Sequence, residues 1–122
     1  MATIKNFEEL TSWQKARELA GYVYELTRRD KFSRDFGLRD QIQRVASSVM
    51  HNIAEGFESG SDPEFVRFLK IAHRSAGEVQ SQLYLALDVD YITEEERLKA
   101  YELATEVKPL INGMMTYLRK SD

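Results

Sequence analysis

Apolar residues recur in steps of four and three along one long segment of the chain. The series is Phe65, Leu69, Ala72, Ala76, Val79, Leu83 and Ala86. This spacing places a continuous apolar stripe on one side of a helix, as in a heptad seam. Ser61 with Glu64 forms a capping box before the series, and Pro63 falls in the first turn, where its missing N–H costs nothing. The segment is therefore predicted to be a long amphipathic helix.

Three further segments show the same helical spacing. The apolar positions run from Leu10 to Leu26, from Leu38 to Ile53, and from Leu98 to Leu118, and Thr93 with Glu96 can cap the start of the last segment. No strand-like alternation persists, and only two prolines and six glycines interrupt the chain. We expect an all-α protein, an antiparallel up-down-up-down four-helix bundle. Its helices are predicted at roughly residues 11–29, 38–56, 62–90 and 94–119.

Length and composition limit the class of protein further. At 122 residues, the chain is expected to form one domain over residues 1–122. It has no cysteine, which excludes disulfides and thiolate metal sites. The N-terminus lacks the apolar region of a secretory signal, and no window is long and apolar enough for a membrane span. We therefore expect a cytoplasmic protein with no membrane partner. Its net charge of −3 argues against strong indiscriminate binding of nucleic acid.

The stretch SSVMHNIAEG, residues 47–56, carries polar residues where a helix is expected to end. Gly56 is suited to terminating that helix, and Asn52 could donate to one of its unpaired carbonyls. Glu55 is unfavourable there unless a positive or donating group meets it. Its candidate partners are Arg44 of a neighbouring chain, Ser75, and backbone N–H groups at the start of the third helix. We interpret the motif as a structural polar contact rather than a catalytic one. The residues assigned to it are Arg44, Asn52, Glu55, Gly56, Ser75 and Glu78.

Signs of catalysis or metal binding are weak in this sequence. His51 and Glu55 share a helix face, but neither His51 nor His73 follows a glutamate by three residues, as in di-metal bundles. The glycines of residues 56–61 lack the lysine and the preceding strand of a phosphate-binding loop. No serine–histidine pairing or pair of acids has a recognisable context. The sequence predicts no enzyme, no catalytic residue, no metal and no cofactor.

Two segments are more apolar than one buried stripe requires. They are Leu83 to Val89, which is apolar nearly all round, and Leu110 to Leu118. A second apolar face usually means a second buried surface. The alternative is a wide core stripe with a few exposed apolar residues. We favour self-association.

The run from Gly37 to Ser48, followed by Asn52-Ile53-Ala54-Glu55-Gly56, resembles the signature of the 23S rRNA intervening-sequence protein family. The opening Phe7-Glu8-Glu9-Leu10 with Trp13-Gln14-Lys15-Ala16 is similar to that of the family. So is the third helix, through Phe65, Phe68, Leu69, Ile71, Ala72, Ser75, Glu78, Gln82 and Leu83. One departure is His73-Arg74, where the family commonly has Arg-Gly.

The resemblance implies a helical homopentamer encoded in spacer insertions of bacterial 23S rRNA genes or related loci. It also implies a relation to the accessory variability determinant proteins of diversity-generating retroelements, which bind nucleic acid and a reverse transcriptase. Those proteins are strongly basic, whereas this chain is not.

Two basic groups are candidates for weak nucleic-acid binding. One is at the first corner and the other forms a stripe at i, i+3 and i+7 on the third helix. Their members are Arg28, Arg29, Lys31 and Arg34, and Arg67, Lys70 and Arg74. Neighbouring acids could instead make both groups ordinary solvated faces with exposed ion pairs. The sequence thus favours a non-enzymatic oligomeric bundle that presents a surface to RNA, DNA or a protein partner. The alternative is an assembly or protein-binding module with no nucleic-acid role.

Overall fold

The structure, a computed structural model, describes residues 4–120, which are mostly helical and contain no strand. A 3-10 turn at Phe7–Glu9 precedes five α-helices. They are α1 (Thr11–Thr27), α2 (Asp30–Arg34), α3 (Phe36–Glu58), α4 (Asp62–Asp88) and α5 (Glu94–Lys120). The four long helices lie within two residues of the bounds expected from the sequence.

Side-chain caps fix the starts of α4 and α5 as the sequence predicts. The Ser61 hydroxyl accepts a hydrogen bond from the Glu64 N–H at 3.3 Å. The Thr93 hydroxyl accepts from the Glu96 N–H at 3.1 Å, and the Thr93 N–H donates to the Glu96 carboxylate at 3.0 Å. These bonds satisfy N–H groups that have no partner within the helix, and so they define where each helix begins.

The short helix α2 is a feature that the sequence analysis missed. The sequence predicts no helix between residues 29 and 38, but Phe32 is buried there and packs on Tyr91, with ring centroids 5.2 Å apart. Asp35 then caps α3 by accepting from the Leu38 N–H at 3.1 Å. The Tyr91 hydroxyl donates to the same carboxylate at 2.8 Å. The first corner is therefore anchored to the loop between α4 and α5.

The core lies among the four long helices. Helix α1 packs against α3 and α5, and α4 packs against the same two helices. Each contributes large side chains that are almost completely buried, among them Leu19, Val23, Ile42, Val49, Ile53, Leu69, Val79, Leu83, Val107 and Ile111. Within the part of the chain that the structure describes, no helix has the length and hydropathy needed to cross a membrane.

The two unusually apolar segments differ in how much of each one remains exposed. In the first, Tyr84, Leu85 and Val89 are 47%, 51% and 43% exposed. The second segment contributes mainly to the core. Among its large hydrophobic side chains Tyr117 alone is exposed, at 46%. Of these two segments, the one at the C-terminal end of α4 therefore leaves more apolar surface for an additional contact.

Candidate nucleic-acid interface

A groove between α4 and α5 brings the basic stripe together with side chains from the neighbouring helix. Its volume is about 440 Å³. Its lining consists of Arg67, Lys70, Ile71, His73 and Arg74 from α4, and Asn112 and Met115 from α5. We call this the basic groove. All three residues of the predicted stripe line it, whereas His73, Asn112 and Met115 were not among the candidate site residues.

Positive charge in the basic groove is not balanced by a lining acid. No carboxylate belongs to the lining. Within residues 4–120, Lys70 and Arg74 make no ion pair, and both side chains are exposed. Two cations are therefore available to a negatively charged ligand.

Arg67 is held differently from the other two cations. Its guanidinium donates two hydrogen bonds to the Glu64 carboxylate, at 2.9 and 3.1 Å, and lies 4.5 Å from the centre of the Phe68 ring. The bonds to Glu64, with a small contribution from Glu55, raise the pKa of Arg67 above its ordinary value. Arg67 thus forms a fixed edge of the groove, and Lys70 and Arg74 supply its unpaired charge.

The floor of the basic groove is apolar. Met115 is buried, Ile71 is half-buried, and the exposed amide of Asn112 lies beside them. An amide both donates and accepts hydrogen bonds, so it can contact the edge of a polar ring. The groove can therefore hold a ligand that combines a negative group with a flat, partly apolar group.

The basic group at the first corner does not enter the groove. Arg29 forms an ion pair with Glu96 and lies 4.0 Å from Glu25. Arg28, Lys31 and Arg34 are exposed. None of these four basic residues lines the basic groove, and the group forms a second, separate candidate.

Asn52 connects α3 to α4 through two serines. Its amide donates to the Ser48 carbonyl and to the Ser48 hydroxyl, both at 2.8 Å. The Ser48 hydroxyl is 3.0 Å from that of Ser75, which is buried on α4. Because α3 continues well beyond this point, the Ser48 carbonyl is not one of the unpaired groups at the helix end. Asn52 contributes to helix packing rather than to a cap.

The prediction that Gly56 terminates its helix is wrong. Helix α3 continues to Glu58, and the turn that follows uses Gly60, whose φ of +88° favours glycine. Gly56 is instead buried against α4. A Cβ atom there would lie 2.7 Å from Cδ1 of Phe65 and 3.0 Å from Cβ of Phe68. Glycine is needed at this position because the two helices approach closely.

Of the other residues of the predicted polar contact, Ser75 is buried and the rest lie on the surface. Glu55, Arg44 and Glu78 are exposed, and Ser75 contacts Ser48 rather than Glu55. Whether a neighbouring chain's Arg44 meets Glu55 stays a prediction.

His51 and Arg44 line a second groove, which is more polar. It has a volume of about 610 Å³ and also contains Asp40, Ser48 and Asn52. Its lining contains both an acidic side chain, Asp40, and basic ones, whereas the lining of the basic groove contains no acidic side chain. In the described range 4–120, no three side chains of the types that bind metals form a cluster.

Comparisons with known proteins define the class of this chain. The family model described as the 23S rRNA-intervening sequence protein matches residues 8–113. The chain therefore belongs to the 23S rRNA-intervening sequence protein family.

A solved structure shows the same fold. It is a protein of unknown function from the S23 ribosomal protein family of Bacteroides thetaiotaomicron, 26% identical in sequence, with a TM-score of 0.78. The match covers 86% of this chain and 98% of that one. No functionally curated protein matches the sequence.

Proposed function

We propose that this protein is a non-enzymatic, cytoplasmic, oligomeric bundle that binds nucleic acid through the basic groove. The observation that supports the proposal is the convergence of Arg67, Lys70 and Arg74 on a groove without a lining acid. Phosphates are the charged groups that such cations contact in nucleic acids. The relation to the accessory variability determinant proteins, implied by the sequence, is part of this proposal.

The proposal includes an up-down-up-down arrangement of α1, α3, α4 and α5, assembled as a homopentamer. Short connections join α3 to α4 and α4 to α5, and each of these pairs packs together, which supports alternating directions. The exposed apolar residues at the end of α4 supply a surface for assembly.

Assembly matters for binding because the chain as a whole is acidic. With a net charge of −3, one protomer attracts a polyanion only locally. A ring of protomers repeats the basic groove, and several weak contacts to one nucleic acid then act together. We expect binding that tolerates many sequences and falls steeply as salt rises.

Fluorescence anisotropy with a structured RNA and a duplex DNA, between about 50 and 200 mM salt, tests the proposal. The decisive variant is Lys70→Glu with Arg74→Glu, which should weaken binding and flatten its dependence on salt. Arg17→Glu with Lys99→Glu is the matched control, because it makes the same charge change at exposed positions outside both candidate groups. Equal loss in both variants would point to net charge rather than to the groove. Absence of binding at low salt would refute the proposal.

A second candidate function is an assembly or protein-binding module with no nucleic-acid role. The exposure of Leu85 and Val89 favours this function, because these two apolar side chains could contact a partner. Tyr84 beside them already packs against Tyr101 and Arg97 within the chain. Light scattering coupled to size exclusion tests the assembly that both candidates share. Leu85→Glu should reduce the molar mass of the particle, whereas a parent protein that is monomeric at micromolar concentration would exclude assembly.

A further inference from the structure

Resting on the proposed function, we propose that the basic groove binds one unpaired nucleotide of a nucleic-acid strand. The phosphate lies on Lys70 and Arg74, and the base enters the groove against His73 and Met115. The inference is that the site selects an unpaired strand over a duplex. The cations alone would not distinguish the two.

The apolar floor is the first reason to expect a base in the groove. A surface that binds only the backbone needs cations and no cavity. Here the cations form the rim of a concavity whose floor is Ile71 and Met115. Its volume of about 440 Å³ falls within the roughly 300–1,000 Å³ of pockets that enclose small molecules. The apolar floor can therefore shelter one face of an unpaired base from water.

The lining also carries the side chains that contact bases. Imidazole rings stack on unpaired bases in RNA-binding proteins, and His73 supplies one in this groove. The thioether of Met115 is a favourable neighbour for an aromatic ring. Asn112 can donate to or accept from the edge of any of the four bases. These contacts recognise a base without strong preference for its identity.

The geometry of the rim favours a strand over a duplex. Lys70 and Arg74 are one helical turn apart, about 6 Å along the axis of α4. In a duplex the bases are stacked and paired, so only phosphates could reach this rim and the floor would stay empty. An unpaired strand can place a phosphate on the rim and its base on the floor at the same time. The strand therefore gains contacts that the duplex cannot make.

The test compares a short oligouridylate, a blunt RNA duplex with the same number of phosphates, and free UMP. We expect the full-length protein to bind the oligouridylate more tightly than the duplex. His73→Ala should weaken strand binding about fivefold or more, the loss typical of one stacked base, and leave duplex binding unchanged. His51→Ala is the matched control, because His51 lines the other groove. Asn112→Ala, on an exposed position of α5, provides a second variant that does not depend on the half-buried His73.

Methyl NMR of the methionines locates the base directly. The Met115 methyl signal should shift when the oligouridylate is added, while that of Met50, on α3, should not. Tighter or equal binding of the duplex, or an unchanged Met115 signal in the strand complex, would overturn the inference while leaving the proposed function standing. UMP that binds as tightly as the strand would identify a free nucleotide as the ligand and also overturn it. No binding of either nucleic acid would instead remove the proposed function itself.

Discussion

Replacing Gly56 with alanine tests the close approach of α3 and α4. At an exposed helical position this change stabilises a protein by about 1 kcal/mol, because alanine is the better helix former. At Gly56 the new methyl group would lie 2.7 Å from the ring of Phe65 and 3.0 Å from Cβ of Phe68. The Phe65 ring is buried and packs against Phe57, and a Cβ atom moves only with its backbone. Relief of the contact therefore requires the helices to separate.

Overpacking of this kind costs about 1–3 kcal/mol, so the net effect of Gly56→Ala is a loss of up to about 2 kcal/mol. Gly21→Ala and Gly113→Ala are matched controls, since both positions are helical and exposed and have no atom within 4 Å of the added Cβ. The gain in helix propensity is common to all three variants. Their difference therefore measures the steric cost alone, which we expect to be about 1–3 kcal/mol.

Urea denaturation followed by circular dichroism gives this difference, with the protomer concentration held constant because assembly affects apparent stability. We expect Gly56→Ala to unfold at lower urea than the parent, and both controls at equal or higher urea. A Gly56→Ala variant as stable as the controls would refute the reasoning, because α3 and α4 could then accommodate the added methyl group without a steric cost.

Three further changes test the polar contacts. Asn52→Leu removes both bonds to Ser48 and should lower the free energy of unfolding by about 1 kcal/mol in urea denaturation. Glu55→Gln, on an exposed side chain, should change it by less than about 0.5 kcal/mol, and a larger loss would indicate a partner in the assembled protein. The Leu38 N–H and the Tyr91 hydroxyl lower the pKa of Asp35, so its carboxylate stabilises the fold above about pH 4 and loses this effect as the pH falls through the lowered pKa. Melting curves at several pH values check this: as the pH falls through the acid range, the melting temperature of Asp35→Asn should decrease less than that of the parent.

The fold was accessible from the sequence because its signals are local. Apolar spacing and the caps at Ser61 and Thr93 depend on residues within one helix, and they placed the long helices to within two residues. Helix α2 was missed because its anchors are distant in sequence. Phe32 is one apolar residue in a polar segment, and its packing partner Tyr91 belongs to another loop. Periodicity cannot detect a contact of this kind.

The candidate site was only half accessible for the same reason. The stripe of Arg67, Lys70 and Arg74 follows from helical spacing alone. The floor of the groove follows from the packing of α4 on α5, which brings Asn112 and Met115 beside it. A polar residue within the apolar segment from Leu110 to Leu118 was the available signal for Asn112, but the sequence does not say which helix it faces.

Gly56 connects the most distinctive motif of the sequence to the basic groove. Because Gly56 has no side chain, the Phe68 Cβ can approach α3 closely, and the Phe68 ring then lies beneath the guanidinium of Arg67. Arg67 also donates two hydrogen bonds to Glu64 and forms one edge of the groove. The motif on α3 therefore needs no chemistry of its own to influence a site between α4 and α5. It fixes how closely two helices pack, and that packing positions Arg67 at the edge of the groove in which we propose that a nucleotide binds.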